Sequence, residues 1–522
     1  MTTVSTTLKL PDAVQLNSVH RLLRMRALQW AVLVVLLVSA SVIEAMQLQS
    51  LGNATSWLQL RAGNWIIAHR GVPHSGIFSQ SSESPWADPN WGLQLALAAF
   101  YHLVGMRVFP IAMMVFRMLF ALATFILAGG RRGNFWLAVV ISAWAEAALL
   151  SSSLPVASSS AAACSAILFA LELALLLQSR ASGQHMLLLW IPLLIFVWAN
   201  LDWHFVLGVI VFLMFCGAGA IEPFLQDRSL HFNLGDRPAL PPAMLGLAAG
   251  ATCIASLVSP YSYRSYVTAW QNLFGVSQLV NSLATTSMNF REPQHYLLMF
   301  LAMCAFLALG RRQARDIFQV LLLAASVSLS FAFRTEAWVI VVASVAVIGE
   351  FSSASARPAH SVQLSGTVFR TAATMAAVIL FITATRIPSR PESLLKIAAN
   401  TLPVRACDFI RQNRLPGPIY NQLEWGDFLA WYLPEYPVSI DDRYELYGEA
   451  RTALYYRVMK GRIEPSSDPD FATANTVLLS TTSGPVQGPE LFPNAEEVFR
   501  SKFPGFHKVY RDDLAVVLTR QP

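Results

Sequence analysis

Apolar runs of membrane-spanning length recur through most of this chain, and they constrain its fold more tightly than any other sequence feature. The first covers Ala27 to Met46. Others follow at approximately 108–128, 135–152, 160–178, 186–200, 205–222, 242–258, 296–310, 317–333, 337–350 and 367–386, eleven in all. A helix needs roughly 20 apolar residues to cross a hydrocarbon layer about 30 Å thick, so 186–200 and 337–350 are short for upright spans and leave the count open by about two. In lipid every backbone amide must find its partner within its own segment or a closed barrel, which makes helices the structure these runs can adopt. Composition agrees, since 55% of the residues are hydrophobic and only 13% charged, against about 25% charged in an ordinary soluble protein. The expected fold is a polytopic α-helical membrane protein with about eleven transmembrane helices.

The formal net charge of +6 raises the question of a nucleic-acid partner. The basic residues fall in short clusters between apolar runs, without a continuous stripe or interleaved aromatics, so no nucleic acid is expected. They read instead as topology signals. With the N-terminus inside, Arg131, Arg132, Arg180, Arg228, Arg237, Arg311, Arg312, Arg315 and Arg357 fall on the cytoplasmic side, as the positive-inside rule requires. An odd number of spans then places everything after Arg386 outside. The first run is longer than a signal-peptide core and reads as an uncleaved helix, although Ser39-Ala40-Ser41 offers a cleavable sequence. Cys164, Cys216, Cys253 and Cys304 lie within apolar segments and Cys407 alone lies beyond them, so no disulfide framework or zinc cluster is expected outside the membrane.

Three parts follow: a cytoplasmic N-terminus (1–26), a transmembrane domain (27–386) with a large first outer loop (47–106), and an extracytoplasmic soluble α/β domain (387–522). In the last, Tyr436 to Ile440 and Ala515 to Thr519 alternate like strands and Val404 to Gln412 like a helix. The first outer loop holds a helical stretch (Trp57 to Ala68), a Ser-, Pro- and Gly-rich turn region (Gly71 to Pro89) and an amphipathic segment (Trp91 to Val104) expected to lie along the membrane surface. A second long loop, Ser259 to His295, carries Tyr261, Tyr263, Tyr266, Trp270 and Phe274, suited to an interfacial aromatic belt or to a ligand groove. No fixed-period repeat and no pair of broken helices announces a transporter.

Several stretches together resemble a large bacterial group of membrane glycosyltransferases of the C-type fold, which take a sugar from a polyprenyl-phosphate donor. In the first loop they are Trp57-Leu-Gln-Leu-Arg61-Ala-Gly63-Asn-Trp65-Ile66, Val72-Pro73-His74-Ser75-Gly76-Ile77-Phe78-Ser79 and Pro85-Trp86-Ala87-Asp88-Pro89-Asn90-Trp91-Gly92-Leu93-Gln94. Trp198-Ala199-Asn200-Leu201-Asp202-Trp203-His204-Phe205 and Ser259-Pro260-Tyr261 follow. The tail adds Asn421-Gln-Leu-Glu-Trp425-Gly426-Asp-Phe-Leu429 and Ile440-Asp441-Asp442-Arg443-Tyr444-Glu445-Leu446-Tyr447-Gly448. The likeness covers nearly the full length. It implies an enzyme of a bacterial inner membrane, with membrane lipid and a polyprenyl-phosphate-linked sugar as partners, and inverting transfer to a lipid, glycan or protein on the outer face.

The chain departs from that family where relatives carry an acidic residue, often Asp-x-Asp, shortly after the first helix. Here the matching positions are Asn53 and Thr55, neither of which accepts a proton near neutral pH. Glu44, Glu83 and Asp88 are the displaced carboxylates that could serve as base, with solvated or interfacial roles as their bland alternatives. Arg61, Arg264, Arg291 and Arg334 face the donor's compartment and suit its phosphate, with Trp86 of the shared motif beside them. Arg334, next to Glu336, is a phosphate clamp or half of a structural ion pair. Asp202 and His204 would suit a divalent cation, a proton relay or an ordinary hydrogen-bonded pair. Arg117, inside a span, must find a partner or snorkel. Asp441-Asp442-Arg443, after a short β-like run, reads first as a structural knot of salt bridges and capped amides, with binding of metal or sugar hydroxyls as its alternative. If the base is missing, the chain is a non-catalytic homologue that binds polyprenyl lipid or scaffolds an envelope assembly.

Overall fold

The computed structural model describes residues 13–131, 133–150, 160–227, 240–274, 288, 290, 293–311, 316–355, 364–459, 462–481 and 505–520. Each of the eleven apolar runs is mainly helical over its described residues. The body comprises α1 (Ala13–Gln47), α4 (Val108–Leu127), α5 (Phe135–Leu150), α6 (Ser160–Ser182), α7 (Trp190–Ala199), α8 (Phe205–Asp227), α9 (Pro242–Leu257), α11 (Pro293–Gly310), α12 (Ile317–Ala332), α13 (Ala337–Ser355) and α14 (Gly366–Arg386). Among the described residues six helices are long and apolar enough to cross a membrane and five more are shorter and apolar, as in a multi-pass membrane protein. The first loop contributes α2 (Ala54–His69) and α3 (Trp91–Val104) and the second loop α10 (Arg264–Phe274). Gly105, at φ 65°, breaks α3 from α4 in a conformation that a side chain disfavours.

Two arginines inside the body are paired. Arg117 on α4 meets Glu44 on α1 at 2.9 Å, both buried, so the arginine finds a partner rather than snorkelling. Arg180, which the sequence places in a cytoplasmic loop, is instead buried at the end of α6 between Glu222 and Asp316. Its charge is paired within the fold.

After α14 the chain forms α15 (Pro391–Ala398), α16 (Val404–Gln412), α17 (Leu423–Tyr432), α18 (Tyr444–Met459), α19 (Pro469–Thr473) and a sheet of β1 (Ile419–Asn421), β2 (Thr476–Ser480), β3 (Phe506–Arg511) and β4 (Ala515–Arg520). Strand order is β1-β2-β4-β3, with β1 parallel to β2 and the other pairs antiparallel. The expected strand at Ala515 to Thr519 and helix at Val404 to Gln412 are present. Tyr436 to Ile440 is not a strand of this sheet: Pro437 lacks an N–H, and Val438 forms only an isolated bridge to Ser79 of the first loop.

That bridge belongs to a seam. Gln80 N donates to Val438 O (2.8 Å) and Val438 N to Phe78 O (3.3 Å), while Gln80 Nε2 donates to Ile419 O (3.0 Å). Beneath the seam Trp57, fully buried, packs on Phe109 of α4 and on Phe428 and Trp431 of α17 with ring centroids 4.8, 5.5 and 4.5 Å apart. First loop, start of α4 and terminal domain therefore share one hydrophobic core.

Candidate active site

Where these parts meet, a cavity of about 990 Å³ opens. Its wall is built by the end of α1 and start of α2 (Gln47, Asn53, Thr55), the approach to α3 (Trp86, Asp88), the turn before α8 (Asp202, His204), the turn before α13 (Thr335, Glu336), and α17 and α18 with the turn between them (Glu424, Asp427, Asp442, Arg443, Glu445). Concave sites that gather polar groups from several elements are where ligands bind.

Asp88 is fixed by local sequence. Its Oδ1 accepts from Asn90 N (3.0 Å) and its Oδ2 from Gln94 Nε2 (2.5 Å), which sets a carboxylate at the N-terminal end of α3, where the helix dipole favours it. Only 4% of Asp88 is exposed. Burial pushes its pKa above the usual carboxylate range, against those two hydrogen bonds.

Asp202 and His204 lie in a buried chain. Trp198 Nε1 donates to Ser165 Oγ (2.7 Å), which donates to Asp202 Oδ2 (2.5 Å). His204 Nδ1 bonds the same carboxylate, and His204 Nε2 reaches Glu336 Oε2 at 3.1 Å. Glu336 also accepts from Trp338 Nε1 and Thr335 Oγ1. Burial alone would lower the His204 pKa, but the two flanking carboxylates outweigh it and lift the imidazole to about 10, so the ring donates through both nitrogens at neutral pH. Among the described residues no three His, Cys, Asp or Glu side chains are arranged to hold a metal. The pair is part of a buried hydrogen-bonded chain.

The terminal domain supplies the opposite wall. Arg443 makes a two-pronged ion pair with Asp441 (Nη2 to Oδ2 2.6 Å, Nε to Oδ1 2.9 Å) and lies over the Trp86 ring, 4.6 Å from its centroid. Trp86 Nε1 in turn donates to Glu445 Oε1 (2.9 Å). The Arg443 Nη1 is buried on the cavity wall and has no hydrogen-bond partner among the described residues. Asp442, the next residue back, faces the cavity and accepts from Thr55 Oγ1 at 3.4 Å. Surrounding protein, then the charges of Glu424 and Asp441, push its pKa up to about 6. Burial raises Glu445 to about 7, the Trp86 hydrogen bond opposing it.

Of the residues singled out from sequence, the cavity gathers Asp88, Trp86, Asp202 and His204. Glu44 is not among them: its carboxylate is committed to Arg117 and to Ser50 N (3.1 Å). Glu83 is exposed on the loop away from the wall, and Arg264 is exposed at the start of α10. Arg61 lies half-buried over the Phe78 ring (5.4 Å). Arg334 is half-buried just before the wall residues Thr335 and Glu336. Arg291 lies outside the described residues. Asn53 is used as a helix cap, accepting from Thr55 N (3.0 Å). Sequence reasoning missed Asp427 and Glu445 as wall residues and gave ligand binding by the turn of Asp442 and Arg443 only as an alternative to a structural role. The signal for that turn was the Asp-Asp-Arg motif, of which only the first Asp is the structural partner.

No protein-family profile matches the chain, and no curated protein matches it in sequence. Among solved structures, the archaeal oligosaccharyltransferase AglB from Archaeoglobus fulgidus, in complex with an inhibitory peptide and a dolichol-phosphate, aligns with a TM-score of 0.50 at 11% identity over 87% of this chain and 69% of its own. ArnT from Cupriavidus metallidurans, bound to undecaprenyl phosphate, aligns with a TM-score of 0.46 at 12% identity over 94% and 97%. The chain thus has the fold of a polytopic C-type glycosyltransferase body with a small C-terminal sheet domain.

Proposed function

We propose that this protein is a membrane glycosyltransferase that moves one sugar from a polyprenyl-phosphate donor to a hydroxyl of a lipid, glycan or protein at the outer face of a bacterial inner membrane. The observation that carries the reading is the cavity itself, where carboxylates from three regions of the chain meet the unpartnered guanidinium nitrogen of Arg443. The fold shared with a solved oligosaccharyltransferase supports it.

Transfer with inversion needs a base for the acceptor hydroxyl and a cation for the departing phosphate. Arg443 serves as the cation, since Asp441 takes its Nε and Nη2 while its Nη1, buried in the cavity wall, has no hydrogen-bond partner among the described residues. Trp86 holds the guanidinium plane from the other side. A phosphate beside so many carboxylates would be repelled if all were ionised. His204 offsets Asp202 and Glu336, and Glu445 and Asp442 titrate near neutrality, which relieves that repulsion.

The test is direct. Purified full-length protein in nanodiscs is given a panel of radiolabelled undecaprenyl-phosphate sugars with envelope lipid acceptors, and label in the acceptor is counted. Transfer by the wild type and a loss of at least 100-fold in Arg443→Ala are expected. Retained donor binding without transfer from any donor would sink the enzyme reading and leave a polyprenyl-lipid-binding scaffold. A periplasm-active reporter fused after Pro522 is expected to be active only on the outer side.

A further inference from the structure

The cavity wall is crowded with carboxylates, yet nearly all are already engaged. Asp88 has both oxygens hydrogen-bonded. Asp202 holds Ser165 and His204 through Oδ2, its buried Oδ1 having no hydrogen-bond partner among the described residues, and Glu336 holds His204, Trp338 and Thr335. Glu445 takes the Trp86 indole. Asp427, 2% exposed, braces the Asp442 amide (3.3 Å) through Oδ1, leaving its Oδ2 without a partner on the wall. Asp442 differs from all of these. It is open to the cavity, and its side chain has one long hydrogen bond, from Thr55.

The turn that carries Asp442 is rigid. Asp441 and Arg443 clamp it from within, and Gly426 lets α17 approach so closely that a Cβ there would lie 2.1 Å from Ile440 O. A carboxylate with spare acceptor capacity is therefore held one residue from a guanidinium whose Nη1 is buried in the same wall without a hydrogen-bond partner among the described residues. Two buried polar atoms without partners, Asp427 Oδ2 and Arg443 Nη1, mark that part of the wall as built for a ligand.

From this geometry we infer that Asp442, carried by the C-terminal domain, is the group that takes the acceptor's proton, an inference that rests on the glycosyl-transfer reading. The acceptor oxygen forms a bond to the anomeric carbon, its proton passes to an Asp442 oxygen, and the bond from that carbon to the phosphate oxygen breaks with its electron pair leaving on the lipid phosphate. Thr55 then orients the base from the first loop instead of supplying one. Glu424, also open to the cavity, acts on Asp442 through its charge. A pKa near neutrality is what a base needs at working pH.

The experiment measures single-turnover transfer in nanodiscs from radiolabelled undecaprenyl-phosphate sugar by full-length wild type, Asp442→Asn, Glu83→Gln, Glu424→Gln and the double variant Thr55→Asp/Asp442→Asn. Asp442→Asn is expected to lose at least 100-fold in transfer with donor affinity within about threefold, the double variant to recover part of the loss, and Glu83→Gln, exposed and off the wall, to stay near wild type. Removing the neighbouring negative charge in Glu424→Gln should move the acidic limb of the pH–rate profile to lower pH. Transfer by Asp442→Asn within tenfold of wild type overturns the assignment and leaves glycosyl transfer standing. No transfer by the wild type overturns both. If Asp442→Asn fails to fold, the Glu424→Gln profile decides, and an unmoved limb overturns the assignment.

Discussion

A buried charge is tolerated only while its partner stays. Glu44 and Arg117 meet at 2.9 Å inside the helical body, so removing one strands the other in a low-dielectric setting, at a cost of about 3–5 kcal/mol. Arg117→Ala is expected to lower the thermal unfolding midpoint in detergent well beyond Arg264→Ala, whose side chain is exposed; equal midpoints would show that the pair contributes nothing. Glu445 makes the opposite case. Its folded pKa, about 7, lies above the ordinary 4.5, so the folded state holds its proton longer than the unfolded one. That contribution to stability is present below about pH 4.5 and is lost as pH rises through 7. Glu445→Gln keeps an acceptor for Trp86 without the charge. It should therefore stabilise the protein at pH 8, by on the order of 1–3 kcal/mol, and do little at pH 4; an equal effect at both pH values would contradict the assigned shift.

Among elements, close approach does what long side chains cannot. A Cβ at Gly426 would meet Ile440 O at 2.1 Å and Asp441 Cα at 2.7 Å, whereas one at Gly250, on α9, meets nothing within 4 Å. Gly426→Val should displace the Asp441–Arg443 turn and lower transfer by at least tenfold while helical content, read by circular dichroism, stays near that of Gly250→Val. Undiminished transfer would mean that the turn's position is unimportant. Helices of this kind were legible in the sequence because lipid-facing segments must be apolar over their whole length, and the eleven runs match eleven helices. Ala515 to Thr519 was legible for a similar reason, as its alternation fits a strand. Tyr436 to Ile440 misled, because Pro437 spoils a pattern that alternation alone cannot reject. The site was half legible. Asp88 and Trp86 sit in a local motif, but Asp442 meets Thr55 across 387 residues, and no periodicity reports such a pairing. Glu44 looked available because nothing local announces Arg117, 73 positions later.

At the scale of the whole molecule, the terminal domain is a wall of the cavity and is held there by a shared core. Trp57 lies at the centre of that core, fully buried against Phe109 of the body and Phe428 and Trp431 of α17, and it does not line the cavity. Its truncation removes an aromatic anchor worth about 3–5 kcal/mol from the contact between two parts of the chain that each retain most of their own packing. The helices of the body keep Arg117–Glu44 and Arg180–Glu222; the sheet keeps its ladders. Trp57→Ala should therefore loosen the docking before it unfolds either part. Hydrogen exchange is expected to quicken along α2, α17 and the Gln80–Val438 seam while β2 and β4 stay protected, and transfer should fall although no wall residue has changed. If exchange quickens uniformly through α6 and β4 as well, the chain unfolds as one unit. If neither exchange nor transfer changes, the two walls of the cavity are held together by something other than this core, and Asp442 does not depend on Trp57 for its place beside Thr55.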